Sequence, residues 1–270
     1  MKMHQIDRRW IFLMILIGVT IPLLIPFGFK IEVSRNVQMV YDLLDSAQPG
    51  DRVLFSFDYD PSAKPELQPA AKAMMKHAIE RDLRIVVIAL WPMGVSLAEE
   101  IYQALSDRLE YGVNYINLGY KAGGLVTIQA MGNDFQGVFP IDMNGDNVNS
   151  FEIMQGVRNF GDFAFVSSFS AGTPGMKEWI MVAGDSFGLP VTGATTAVSA
   201  PGFLPYINAQ RQLNGMVAGL KAAAEYELLV GHPGTATAGM DAQSIAHIII
   251  ILFIVIGNVS FYMNKKKKEG

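Results

Sequence analysis

Residues 10–29, WIFLMILIGVTIPLLIPFGF, form an apolar run without a charge, and residues 245–262, IAHIIIILFIVIGNVSFY, form a second. Twenty helical residues reach about 30 Å, the thickness of a bilayer core, so both runs predict transmembrane helices. Pro22 and Pro26 interrupt the first run. Membrane helices tolerate such breaks where neighbouring groups satisfy the freed carbonyls. The KIEVSRN that follows holds no small-x-small cleavage pattern, so the first run reads as a retained anchor and not a removed signal.

Between the two runs, short apolar bursts alternate with helix-spaced stretches. Residues 34–47 place Val37, Val40, Tyr41 and Leu44 on one helical face, with Ser34 at the N-cap position. RVLFSF then reads as a buried strand, 65–82 as a helix, and RIVVIALW as a second strand. The alternation continues with a helix at 96–109, a strand at 113–118 and a short helix at 124–131. After an irregular stretch come a strand at 163–169, a helix at 174–187 and a strand at 190–195. A long helix is predicted over 208–230, with Gly215, Gly219 and Ala223 as a small-residue strip. This is α/β patterning: a three-layer, Rossmann- or flavodoxin-like parallel sheet of about five strands, flanked by an N-terminal and a C-terminal transmembrane helix. The predicted division is tail 1–9, first span 10–29, α/β domain 30–230, tether 231–244, second span 245–262 and basic tail 263–270.

Charge sets the expected orientation. Lys2, Arg8 and Arg9 precede the first run and Lys265 to Lys268 follow the second. Positive flanks stay in the cytoplasm, so both termini are expected inside the cell membrane and the main domain outside. The two tails carry +2 and +3 of a net −4, which leaves −9 on everything between them. An acidic outer domain is a poor partner for phosphate backbones, so no nucleic acid is expected. The lysine run reads as a topology signal beside the bilayer. The chain has no cysteine, so no disulfide holds the domain and its hydrophobic core must suffice.

Candidate chemistry gathers where strands end. Asp58 and Asp60 follow the first strand in FSFDYDPS, where open α/β sheets place functional groups. That spacing resembles the acid pair of haloacid-dehalogenase-like phosphohydrolases, which implies Mg²⁺-dependent hydrolysis as an alternative. The sequence departs from that pattern: Asp185 falls on a helical periodicity through Trp179, Ile180, Ala183 and Phe187, and Lys177 stands too close to it. The structural reading is that Asp60 or Ser62 orders the turn into the next helix and Asp58 bonds to backbone amides. Lys121, Gly123 and Gly124 follow the third strand as a possible anion cradle at a helix start. Ser168 and Ser170 end the fourth strand, where hydroxyls would line a polar pocket. No histidine stands near enough in the pattern to activate a serine, and GxSxG is absent.

These residues supply no complete catalytic set, no metal-ligand cluster and no nucleotide fingerprint, so no catalytic residue, metal or cofactor is assigned. The expectation is a membrane-anchored structural or binding subunit of an oligomeric assembly. Its partners would be copies of itself, other membrane proteins and the lipid bilayer. A small-ligand or anion-binding domain using Asp58, Asp60, Lys121, Gly123, Gly124, Ser168 and Ser170 is the alternative.

Overall fold

The computed structural model describes residues 8–29 and 31–269. Most of the predicted N-terminal tail, Lys2 included, lies outside the described residues. The chain forms two compact units, one built from its two ends (Met1–Lys30 with Pro233–Gly270) and one from Ile31–His232.

The terminal unit contains α1 (Arg8–Leu24) and α9 (Thr235–Glu269). Of the described helices, the stretch Thr235–Tyr262 is long and apolar enough to cross a membrane. α1 is also apolar but has only 17 residues and stops short of the predicted end at residue 29. Pro26 accounts for that: it has no amide proton and disfavours helical geometry in the residue before it. The amides of Phe27, Gly28 and Phe29 bond instead to the carboxylate of Asp241, at 2.7, 2.8 and 3.2 Å. Further along α1, a Cβ on Gly18 would meet the side chains of Ile249 and Ile245. Advancing along α1 therefore means retreating along α9, so the two helices pack antiparallel. The predicted tether is also shorter than expected, because residues 235–244 are already helical.

The other unit is a six-stranded parallel sheet. In chain order it contains α2 (Arg35–Ser46), β1 (Arg52–Asp58), α3 (Lys64–Glu80), β2 (Arg84–Ala89), α4 (Gly94–Leu105), β3 (Tyr115–Tyr120), α5 (Leu125–Asn133) and α6 (Phe135–Val138). β4 (Val166–Ser170), α7 (Met176–Trp179), β5 (Val191–Thr195), β6 (Val217–Ala218) and α8 (Gly219–Leu229) complete it. The strand order is β3-β2-β1-β4-β5-β6. The sheet is thus wound outward in both directions from β1 and β4, not in the 2-1-3-4-5 order of flavodoxin-type sheets. The five predicted strands are all present, and the sixth is an addition.

That sixth strand lies inside the segment predicted as one long helix, 208–230. Gly215 and Gly219 have φ of +77° and +68°, which an α-helix does not allow. A Cβ on Gly215 would stand 2.3 Å from the Asn36 carbonyl oxygen, and one on Gly219 would stand 2.7 Å from the Ala197 Cβ. These glycines are therefore close-approach and turn positions: Gly215 lies before β6, Gly219 turns the chain into α8 as its first residue, and Ala223 alone of the predicted strip sits in the helix interior.

Alternation along the strands divides the core between two faces. Phe55 and Phe57 pack with Phe169, Val53 shares their face, and Met74 of α3 reaches it at Ser167. α3 lies against α8 and α2 there. The opposite face carries Leu54, Val86, Ile88, Ile116 and Val191 under α5, α7 and the π-turn Ile180–Gly184. Ser34 does occupy the N-cap of α2, but its hydroxyl makes no capping bond. Its backbone amide donates to the buried Glu225 carboxylate at 2.9 Å, and Lys221 neutralises that acid at 2.8 Å.

Candidate functional site

β1 and β4 are neighbours whose onward connections run in opposite directions, and their C-terminal ends mark the switch point of the sheet. Asp58 closes β1 and is in register with Ser170 of β4. On β1, Ser56 and Asp58 share a face with Ser168 and Ser170, so the edge above the apolar core turns polar at its last two layers.

Asp58 is fully buried. One carboxylate oxygen accepts the Leu90 amide at 2.9 Å, and the other accepts the Ser168 hydroxyl at 3.1 Å and the Trp179 indole N–H at 3.2 Å. The Ser56 hydroxyl sits 2.8 and 2.9 Å from the two oxygens. Burial nevertheless dominates and pushes the carboxyl up to about 6, with the four donors pulling against it. Asp58 thus joins β1, β2, β4 and α7 through one side chain.

Asp60 does not join it. It is half-buried, and its carboxylate accepts the Ser62 amide at 2.9 Å and the Ser62 hydroxyl at 2.5 Å. Those bonds hold its pKa below the usual carboxylate value and order the turn into α3. One acid of the pair is enclosed and the other is engaged in a turn.

The loop 171–175 crosses the strand ends. Ser170, also buried, donates to the Gly172 carbonyl at 3.0 Å. Trp91 donates from its indole to the Pro174 carbonyl at 2.7 Å. A Cβ on Gly124 would come within 3.1 Å of Pro174. The loop is therefore wedged between the ends of β2, β3 and β4. Gly123 and Gly124 have positive φ, 117° and 52°, as the tight entry to α5 requires. Lys121 stands with its ammonium 5.8 Å over the Phe139 ring and its amide bonded to the Ala89 carbonyl. Of the predicted residues, the fold gathers Asp58 and Ser168 into one hydrogen-bonded group, with Ser170 beside them. Lys121, Gly123 and Gly124 belong to the adjacent loop. Trp91→Phe removes the indole bond to Pro174 and is expected to lower stability by about 1 kcal/mol. Denaturant unfolding of the purified protein checks it.

With the space over Asp58 filled, the open volume moves one strand outward. A cavity of about 350 Å³ is lined by Thr173, Lys177, Thr195, Ser199, Phe203 and Tyr206, together with Gly172 and Gly202. It lies at the C-terminal ends of β4 and β5. A second cleft of about 560 Å³ borders the opposite end of β5, where Gln212 holds the Asp185 carboxylate at 3.0 Å. The first has the position at which open α/β sheets bind ligands.

The chain matches no family model, no curated protein and no solved structure.

Among the described residues, no group of three or more His, Cys, Asp or Glu side chains stands ready to hold a metal ion. The pattern missed Lys177, Thr195, Ser199 and Tyr206 as neighbours. The available signal was Thr195, which ends a strand as Ser170 does.

Proposed function

We propose that this protein is a two-span membrane protein. Its Rossmann-like domain would stand outside the cytoplasm as a structural or binding subunit of an oligomeric membrane assembly. The observation that carries this reading is the antiparallel pairing of α1 with α9, tied by Asp241 to the segment leaving α1. Antiparallel pairing of α1 and α9 supports a topology with both chain ends on one side, in keeping with the basic flanks and the positive-inside rule. The outer surfaces of both helices carry exposed apolar side chains, among them Phe12, Leu16, Ile251 and Phe261. An apolar surface of that size fits lipid or protein partners and not water. α1 covers about 26 Å as helix, and the apolar Ile25 and Pro26 extend its reach towards the thickness of a bilayer core.

The buried Asp58 group supports a non-enzymatic role, since both of its oxygens are engaged in holding the sheet edge together. Hydrolysis with Mg²⁺ at Asp58 and Asp60 gains no support from this geometry. A small-ligand role is favoured separately by the cavity beyond β4.

Native mass spectrometry of the full chain, extracted gently from its own membrane, tests the assembly. A defined homo-oligomer or hetero-oligomer is the expected result. A monomer at every protein concentration would overturn it.

A further inference from the structure

The cavity at the ends of β4 and β5 has a chemistry of its own. We propose that it binds a small organic monoanion, a carboxylate with an apolar body, held by Lys177, Thr195 and Ser199 against the rings of Phe203 and Tyr206.

Size is the first constraint. A cavity of about 350 Å³ falls at the lower end of the range for small-ligand sites. The second is the unused donor at its wall. Thr195 is fully buried and its Oγ1 has no hydrogen-bond partner. A buried hydroxyl left unpaired is costly, and native proteins tolerate few without a purpose. Next to it, the Ser199 hydroxyl accepts from Thr196 at 3.0 Å, which leaves its own proton for another acceptor.

Charge selects the class. Lys177 contributes an exposed ammonium, and no acidic side chain is among the lining residues. One cation with several hydroxyls matches a single negative charge. A phosphate dianion is better served by an arginine fork, and no arginine lines this cavity. The remaining wall is apolar. Phe203 and Tyr206 are half-buried and present their rings to it. An inorganic ion would leave those surfaces unused, whereas a carboxylate with a hydrocarbon or aromatic body covers them. The inference is independent of how the chain crosses the membrane.

Calorimetric titration of the full chain in lipid nanodiscs, with empty nanodiscs subtracted, tests it. The probes are phenylacetate, its neutral isostere phenylacetamide, and inorganic phosphate. Phenylacetate is expected to bind at least about tenfold more tightly than phenylacetamide or phosphate. Lys177→Met, a change at an exposed position, should erase the preference for the acid while leaving amide binding unchanged. Thr195→Val should weaken phenylacetate binding yet raise the melting temperature of the ligand-free protein, because it removes an unpaired buried hydroxyl. No phenylacetate binding up to about 10 mM would overturn the proposal. So would tighter binding of phosphate, or phenylacetate affinity unchanged in Lys177→Met.

Discussion

Asp58→Ala is expected to destabilise the α/β domain by about 3 kcal/mol. The change leaves the Leu90 amide, the Trp179 indole and the Ser56 and Ser168 hydroxyls facing a void at a site closed to water. Each orphaned donor retains its desolvation cost while its acceptor is gone. Asp58→Asn keeps the shape and one acceptor oxygen, so it should cost less. Urea or thermal unfolding of the two variants measures the difference, and an unchanged midpoint for Asp58→Ala would contradict the role assigned to this side chain.

The same residue imposes a pH dependence. Burial lifts its carboxyl to about 6 in the folded protein, against an ordinary value of 3.8. Between those values the folded state binds the proton more readily than the unfolded state. The proton-linked part of the Asp58 contribution to stability is therefore fully present below pH 3.8, falls as pH rises towards 6, and stays lost above it, while its hydrogen-bond and packing part remains. The span corresponds to about 3 kcal/mol. His77 opposes this trend. It is buried beside the Tyr226 hydroxyl at 2.8 Å, and burial holds its pKa below 6.5. Its contribution is lost as pH falls through that unfolded value and on to its lower folded one. The Asp58 component is thus read as the difference between wild-type and Asp58→Asn unfolding profiles, and that difference should narrow as pH is raised from 4 to 7.

Asp241→Leu should loosen the helical hairpin. Asp241 is almost fully buried and receives three consecutive amides beyond the end of α1. Bonds to a charged acceptor are the stronger kind, and removing this one leaves three donors unpaired where the chain leaves α1. The expected loss is about 2–3 kcal/mol in the pairing of α1 with α9. Because the chain has no cysteine, the pair Gly18→Cys and Ile249→Cys gives a clean readout with a short bis-maleimide. Cross-linking should be efficient with Asp241 present and should fall sharply in Asp241→Leu. Equal yields would remove Asp241 from this role.

Much of the fold was legible because buried parallel strands leave unbroken apolar runs, as in RVLFSF and RIVVIA. What was illegible depends on distant partners. The helix-like spacing of Gly215, Gly219 and Ala223 concealed the two-residue β6, since glycine serves helix packing and left-handed turns alike. Asp241 looked like a tether residue because its partners lie more than 200 positions away. Position alone marked Asp58 as a strand-end acid. Its use was set by Ser168 and Trp179, 110 and 121 residues further on, which no local pattern connects. The cavity beyond β4 emerges only once the loop 171–175 is seen to fill the space over Asp58.

The two-span arrangement is tested most directly by single-cysteine labelling in intact cells with a membrane-impermeant maleimide. Val198, 89 % exposed on the α/β domain, and Lys268 in the C-terminal tail give the two reporter sites. The account predicts that Val198→Cys is labelled in intact cells and Lys268→Cys only after lysis. Protection of Val198→Cys in intact cells, or labelling of Lys268→Cys without lysis, would contradict it.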